Sequence, residues 1–273
     1  MKKRKNKKWL IHLMLIIGAV FMLAPFIWMI LTALKTKAEA TSIPPTIPEQ
    51  WQWNNFREIF SAVPFANYYL NTIISTVSIV CGQVFLSAMA AYAFAKINFP
   101  FKNFLFILIL SVLMMPGQVF LLPQYLIIQR LGLLNSIPAL VIPGLFSAFA
   151  TFLLRQFFMT LPKELDEAAI MDGCSRFRIF FSIILPLSKS ALISSGIFAM
   201  LFGWNSLMWP LIVNTSPNKR TLSAGLAALN GQFGSDYPLM MAGAFLAILP
   251  LVALFLIFQK QFIEGIAFSG SKE

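Results

Sequence analysis

A short run of acidic and small residues has the composition of a short helix with a small, acidic-edged surface. The predicted helix starts at Pro162, and the acidic and small members of the run are Glu164, Asp166, Glu167, Ala168 and Ala169. Proline is favoured at the first position of a helix, and acidic side chains in the first turn interact favourably with the helix dipole. The chemistry that this run offers is recognition by a small, acidic-edged surface rather than catalysis.

A second short helix is predicted directly after the first. Gly173 suits the left-handed residue that ends a helix, and Ser175 can cap the helix that follows. Apolar residues then recur at i, i+3, i+4 and i+7, which predicts one apolar face made of Phe177, Phe180, Phe181 and Ile184. Pro186 marks the far end of this helix.

Two interpretations of this pair of helices are open from the residues alone. The first helix can lie in a groove of a partner protein, which is a common mode of recognition. Alternatively, the pair is an interfacial amphipathic element that ties two membrane spans together. The physical chemistry of the residues favours neither one.

The surrounding chain has the composition of a membrane protein. Hydrophobic residues make up 58% of the 273 residues, 11% are charged, and the mean hydropathy is +0.77; soluble domains carry about 25% charged residues. Six apolar runs are long enough to cross a bilayer core, which takes about 20 helical residues; they cover residues 9–34, 72–95, 104–122, 137–154, 191–213 and 239–258. Backbone groups in hydrocarbon must be hydrogen-bonded internally. The sequence therefore predicts an all-α, polytopic membrane protein with six transmembrane helices.

The basic residues predict the orientation. With alternating spans and the N-terminus in the cytoplasm, 15 of the 21 Lys and Arg residues lie on the cytoplasmic side, as the positive-inside rule requires. Both termini are then cytoplasmic, in a multi-pass protein of the cell membrane whose basic N-terminus contacts anionic lipid. The first apolar run is longer than the roughly 7–15 residues of a signal peptide, so we expect a retained anchor.

Three parts of the chain are expected. Residues 1–70 form the N-terminal tail, the first span and an aromatic-rich outer segment, residues 71–263 form the core with the other five spans, and residues 264–273 form a C-terminal tail. The docking loop is residues 161–186 within the core. Pro116, Gly117 and Pro123 are expected to break or kink the third span.

Several functions are excluded by what the sequence lacks. The basic residues lie in loops between apolar runs and form no nucleic-acid groove. His12 is the single histidine, and Cys81 and Cys174 have no metal-ligand spacing, so no metal site, catalytic residue or membrane-enzyme site is expected. No phosphate-binding G-x-x-x-x-G-K-[ST] motif occurs, so the chain needs no cofactor of its own and any ATP is used by a partner. Ionisable residues are missing from the middle of the spans, which argues against a secondary transporter driven by ions.

A few polar or aromatic residues within the spans are candidates for a solute path: Gln83, Gln118, Asn205 and Trp204. Polar groups in spans more often form hydrogen bonds between helices. An indole can also stack on a sugar ring. Both interpretations stay open here.

The docking loop resembles a known motif. Glu167-Ala168-Ala169, Gly173, Ile183 and Leu185-Pro186 follow the pattern E-A-A, three residues, G, nine residues, I, one residue, L-P, and Asp172 precedes the glycine. This pattern resembles the EAA loop of binding-protein-dependent ABC permeases. Other stretches resemble the carbohydrate-uptake, maltose-type branch, among them residues 90–95, 131–135, 153–158 and 204–211.

The resemblance implies a type I ABC importer permease fold and a mechanism. The first docking helix would be the coupling helix, held in a cleft of a cytoplasmic ATPase, and its contact would comprise Glu167, Ala168, Ala169, Asp172, Gly173, Ile183, Leu185 and Pro186. The implied partners are a companion permease in a heterodimer, two ATPase domains and an extracytoplasmic solute-binding protein. A sugar or related solute is the implied cargo. A secondary transporter working without ATP is the alternative.

Overall fold

The computed structural model describes residues 2–44, 46–232 and 236–270, with the side chains of residues 8–44, 46–229 and 236–259. Within these ranges the chain is helical and contains no strand, which confirms the predicted all-α class. The α-helices, in chain order, are α1 Lys2–Ala33, α2 Lys37–Ala40, α3 Asn55–Ala62, α4 Phe65–Lys96, α5 Lys102–Ser111, α6 Leu121–Arg130, α7 Ile137–Val141, α8 Ala148–Thr160, α9 Lys163–Met171, α10 Arg176–Ile179, α11 Leu185–Leu187, α12 Lys189–Asn205, α13 Met208–Val213, α14 Leu222–Gln232 and α15 Tyr237–Gly270.

The chain divides into two compact units. The first comprises residues 1–65 and 225–251, and the second comprises residues 66–224 and 252–273. The second unit contains the predicted docking loop.

Among the described residues, up to six helical segments are long and apolar enough to span a membrane. Three are continuous helices, and three are pairs of helices bent at a short break. The bent pairs are residues 102–130, 137–160 and 176–205, with bends of 103°, 45° and 82°. Six spans result when each bent pair counts as one.

The third apolar run is broken where Pro116 and Gly117 predict it. The chain leaves the helix at Met115 and Pro116, whose backbones are extended, and α6 then continues to Arg130. Helical structure therefore continues beyond residue 122, the predicted end of the third apolar run. The expected effect of Pro123 is wrong, because Pro123 is the third residue of α6, where a helix needs no backbone N–H donor.

The fifth apolar run, predicted to be continuous over 191–213, is two helices. Ser206 has an extended backbone that ends α12 at Asn205, and α13 begins at Met208. Pro210 explains the break. It has no N–H to donate to the carbonyl of Ser206, so a helix continued through this point would lose a hydrogen bond and clash.

The core of the second unit lies beneath the docking loop. Ala88 and Ala91 of α4 are fully buried and allow Leu154 and Phe158 of α8 to approach closely. The same cluster is completed by Tyr92, Ala169, Ile179, Phe180, Ile184 and Ala191. A densely packed core transmits strain between the elements that form it. The docking loop is therefore mechanically joined to α4, α8 and α12.

Candidate coupling site

The first docking helix is α9. Pro162 precedes it with an extended ψ of 137°, so the helix begins at Lys163 rather than at the proline. The prediction of Pro162 as the first helical residue is therefore wrong by one position. Glu164 and Asp166 lie in the first turn, where acidic charge is favourable.

The turn after α9 is built as predicted around Gly173, which has a φ of +78°. The N–H of Cys174 donates to the carbonyl of Ala169 at 2.9 Å, and the N–H of Gly173 donates to the carbonyl of Ile170 at 3.0 Å. These two bonds form a Schellman motif, which satisfies the last carbonyls of the helix. Glycine is needed here because a side chain disfavours this φ.

The second helix begins as predicted but buries a different face. The hydroxyl of Ser175 accepts from the N–H of Arg178 at 3.3 Å and caps α10. Phe180 and Ile184 are buried, whereas Phe177 is 67% exposed and Phe181 is 49% exposed. A π-helical turn over residues 180–184 holds more residues than an α-helical turn. The predicted register of the apolar face is wrong, because Ile179 is buried while Phe177 and Phe181 are exposed.

A buried ion pair fixes the orientation of α9. The ammonium of Lys96, at the end of α4, lies 2.8 Å from a carboxylate oxygen of Asp166 and donates to the carbonyl of Leu161 at 2.9 Å. The two side chains are only 5% and 8% exposed. A buried charge needs such a partner, so Asp166 must face α4.

The inward orientation of Asp166 divides α9 into two faces. Ala169, one turn further, is 7% exposed and packs in the core with Ile179 and Phe180. Ile183 and Leu185 also pack against this core. Of the residues predicted to contact the ATPase, Ala169 is therefore covered by the chain itself, whereas Ile183 and Leu185 are partly buried.

The remaining predicted contact residues are all exposed: Glu167, Ala168, Asp172, Gly173 and Pro186. Several exposed apolar residues of the same loop are absent from the prediction. Met171 is 83% exposed, and Leu165, Ile170 and Phe177 are also exposed. The sequence could have indicated Met171, because it lies four residues after Glu167 and three after Ala168 and so shares their face of the helix.

A separate cavity of about 420 Å³ lies among α4, α6, α12 and α13 of the second unit. Its polar lining includes Gln118, Gln124 and Ser206, and Trp209 lines it as well. Of the four predicted path residues, only Gln118 lines this cavity.

The other three predicted path residues lie elsewhere. Gln83 and Trp204 are each 7% exposed and face the protein interior. The side chain of Asn205 donates to the carbonyl of Leu201 at 2.9 Å. The ring of Trp204 is therefore covered by the protein. The prediction that this ring stacks on a sugar is corrected accordingly.

The described side chains contain no group of three His, Cys, Asp or Glu residues that could hold a metal ion. Cys81 and Cys174 are free. Cys174 packs against the core below Gly173.

The sequence profile of the family described as "Binding-protein-dependent transport system inner membrane component" matches residues 83–266. The chain belongs to this family. The match includes all of α9, Gly173 and the second docking helix.

Curated relatives of this family member cover almost the whole chain. A probable ABC transporter permease protein YurM of Bacillus subtilis is 35% identical over 99% of the chain and 92% of its own length. The sn-glycerol-3-phosphate transport system permease protein UgpE of Pectobacterium atrosepticum is 36% identical over 93% of the chain and 94% of its length. The arabinooligosaccharides transport system permease protein AraQ of Halalkalibacterium halodurans is 34% identical over 99% of both chains.

A solved structure shares the fold. It is described as a bacterial ABC transporter involved in the import of the acidic polysaccharide alginate. The match has a TM-score of 0.81 and 22% identity, and it covers 96% of this chain and 98% of that one. The predicted ABC permease fold is confirmed. This family member is a membrane-spanning permease subunit of an ATP-driven ABC importer and not an enzyme.

Proposed function

We propose that this permease subunit carries a sugar or related polar solute across the cytoplasmic membrane, with both termini in the cytoplasm. The names of two relatives, for glycerol 3-phosphate and for arabinooligosaccharides, support this solute class. The distribution of Lys and Arg supports the orientation. A companion permease, two ATPase domains and an extracytoplasmic binding protein complete the proposed importer.

In this proposal, the outer face of α9 enters a cleft of the ATPase. The observation that carries it is the division of α9 into two faces. Asp166 and Ala169 are held inside the permease, while Glu167, Ala168 and Met171 are exposed on the opposite side. A helix that is fixed on one face and free on the other suits docking in a groove.

The inner face then transmits the movement. A push on Met171 and Glu167 acts on a helix that is joined to α4 by the Lys96–Asp166 ion pair and to α8 and α12 by the buried core. Closure of the ATPase would therefore tilt these spans together. ATP is bound and hydrolysed in the partner, and we propose that this chain uses no cofactor of its own.

Cysteine crosslinking tests this coupling contact. The two native cysteines are first replaced, as Cys81→Ser and Cys174→Ala, and Met171→Cys is then introduced in the full-length chain. We expect Met171→Cys to crosslink to the cognate ATPase, with a yield that changes when ATP is bound. The matched control is Met159→Cys on α8, which is also exposed, at 53%, but lies off the proposed face.

The crosslinking experiment has outcomes that separate support for the proposed contact from its contradiction. A crosslink from residue 171 alone supports the proposed contact. Equal crosslinking from residues 171 and 159, or none from residue 171 in an importer that still transports, contradicts it. Labelling of residue 171 from the outside of intact cells would contradict the proposed orientation.

We further propose that the 420 Å³ cavity is this chain's share of the solute path. Amide side chains at Gln118 and Gln124 can hydrogen-bond to solute hydroxyls. Replacing both by alanine is expected to raise the solute concentration at half-maximal uptake. Gln129→Ala, an exposed change on the same helix α6 outside the cavity, serves as the control; an equal effect of the two changes would contradict the assignment.

A further inference from the structure

A second and larger cavity of about 830 Å³ lies beside the docking loop. The end of α4, the loop into α5, and parts of α8 and α9 form its walls. Five basic side chains line it, namely Lys96, Lys102, Arg155, Lys163 and Arg176. Two acidic side chains, Asp166 and Glu167, also line it.

The charges of this basic cavity do not balance. Asp166 is already paired with Lys96. Within the part of the chain whose side chains are described, no carboxylate lies within salt-bridge distance of Lys102, Lys163 or Arg176. The cavity therefore gathers positive charge that a bound anion would neutralise.

Two of the basic groups are held in place by neutral contacts. The Nε of Arg155 donates to the carbonyl of Phe94 at 3.1 Å, and its guanidinium lies 4.1 Å from the centre of the Phe106 ring. The ammonium of Lys102 donates to the carbonyl of Ile97 at 2.8 Å. Each of these groups has further N–H donors that are available for a ligand.

Exposed apolar side chains line the cavity next to these cations. Phe101 is 78% exposed, Phe104 is 59% exposed and Met159 is 53% exposed. Phe104 belongs to α5, the first helix of the third spanning segment. Cations next to apolar groups at the end of membrane spans match the two parts of a phospholipid, its charged headgroup and its acyl chains.

We propose that this basic cavity binds the phosphate of an anionic phospholipid headgroup. Lys102, Lys163 and the free N–H groups of Arg155 would hold the phosphate, and the acyl chains would pass along Phe101 and Phe104. Free phosphate shares the charge but lacks the apolar part. The leaflet, which is the cytoplasmic one, rests on the orientation given under the proposed function.

The position of the cavity gives the lipid a regulatory role. Lys163 is the first residue of α9, and Glu167 belongs to both the cavity wall and the proposed contact with the ATPase. A bound headgroup would draw Lys163 toward Lys102 and fix the start of α9. Anionic lipid would therefore favour a rigid coupling helix.

Binding is tested with the purified full-length chain in neutral detergent micelles. An acyl-chain-labelled phosphatidylglycerol is titrated, with its anisotropy as the readout, and labelled phosphatidylcholine gives the neutral comparison. We expect the double variant Lys102→Gln, Lys163→Gln to bind phosphatidylglycerol roughly twenty-five-fold more weakly, at about fivefold for each lysine. Lys102→Arg with Lys163→Arg should retain binding.

The matched control is Lys189→Gln, an exposed lysine at the start of α12 that does not line the cavity. Equal loss in this control and in the double variant would overturn the proposal, as would equal binding of the two lipids by the unchanged chain. Inorganic phosphate is also tested as a competitor. If it competes as effectively as unlabelled phosphatidylglycerol, the site binds free phosphate and the proposal of a lipid ligand is overturned. Circular dichroism confirms that each variant is folded.

The test is independent of the proposed transport function. It uses no ATPase and no solute, so a negative result leaves the coupling contact untouched. Conversely, absence of a crosslink from residue 171 would not alter lipid binding in micelles.

Discussion

The ammonium of Lys96 lies 2.8 Å from the carboxylate of Asp166, and both side chains are almost completely buried. Lys96 is the last residue of the long helix α4, and Asp166 lies in the first turn of α9. Because one partner cannot be left charged and alone in the interior, this pair sets which side of α9 faces outward. The exposed face that we propose for the ATPase contact depends on it.

Asp166→Asn is expected to destabilise the folded chain by about 3 kcal/mol, since breaking a buried pair leaves one charge uncompensated. Denaturant unfolding of the purified chain in detergent measures the change. Adding Lys96→Met to Asp166→Asn should recover part of the loss, because the unpaired ammonium is then removed. Glu167→Gln, a change of an exposed acidic neighbour, should have little effect, and equal destabilisation by both single changes would contradict the role of the pair.

Gly173→Ala is expected to reduce ATP-driven uptake while the protein still inserts in the membrane. No atom lies within 4 Å of the added methyl group, so the cost is the left-handed backbone alone, about 1–2 kcal/mol. Gly132→Ala makes a matched comparison because Gly132 has a φ of +68° and equal space but lies outside the docking loop. Uptake that falls equally in both variants would show a general loss of stability rather than a role in coupling.

Two glycines of α12 face α4 at different distances. A methyl group at Gly203 would lie 3.3 Å from the hydroxyl oxygen of Thr76 and 3.4 Å from its Cα, whereas one at Gly196 would lie 3.7 Å from Val80 and Val84. We expect Gly203→Ala to cost about 1–3 kcal/mol through overpacking. Gly196→Ala should be close to neutral, and unfolding of both variants in detergent compares them.

The segment after the first span has a pH-dependent anchor. Hydrogen bonds from the backbone N–H groups of Thr36, Glu49 and Gln50 and from the Thr36 hydroxyl hold the pKa of the Glu39 carboxyl below its ordinary value of 4.5. A lowered pKa means that the carboxylate stabilises the fold above pH 4.5 and that this contribution is lost as the pH falls through the lowered pKa.

Hydrogen exchange at residues 49 and 50 measures this anchor. The protection of their amides, corrected for the intrinsic effect of pH on exchange, should fall when the pH drops below 4.5, the ordinary pKa of the Glu39 carboxyl. In Glu39→Gln the protection should be low already at neutral pH. In Glu58→Gln, an exposed acidic residue nearby, the pH dependence should persist.

The sequence determined those features of this protein that depend on local chemistry. Apolar runs longer than a bilayer core required helices, Pro116 broke the third run, and Gly173 with Ser175 fixed a helix, a turn and a second helix. The motif from Glu167 to Pro186 identified the family. Each of these follows from residues that are close in the chain, and the structure confirms the breaks and the turn.

Only the tertiary structure decided which side of each helix is covered. Ala168 and Ala169 are neighbours of the same type, yet Ala169 is buried and Ala168 is exposed, because α9 is rotated by a lysine that ends a distant helix. Likewise, Ile179 is buried in the second docking helix, whereas Phe177 and Phe181 are exposed. Burial depends on contacts between residues far apart in the chain, and local spacing carries no information about those partners.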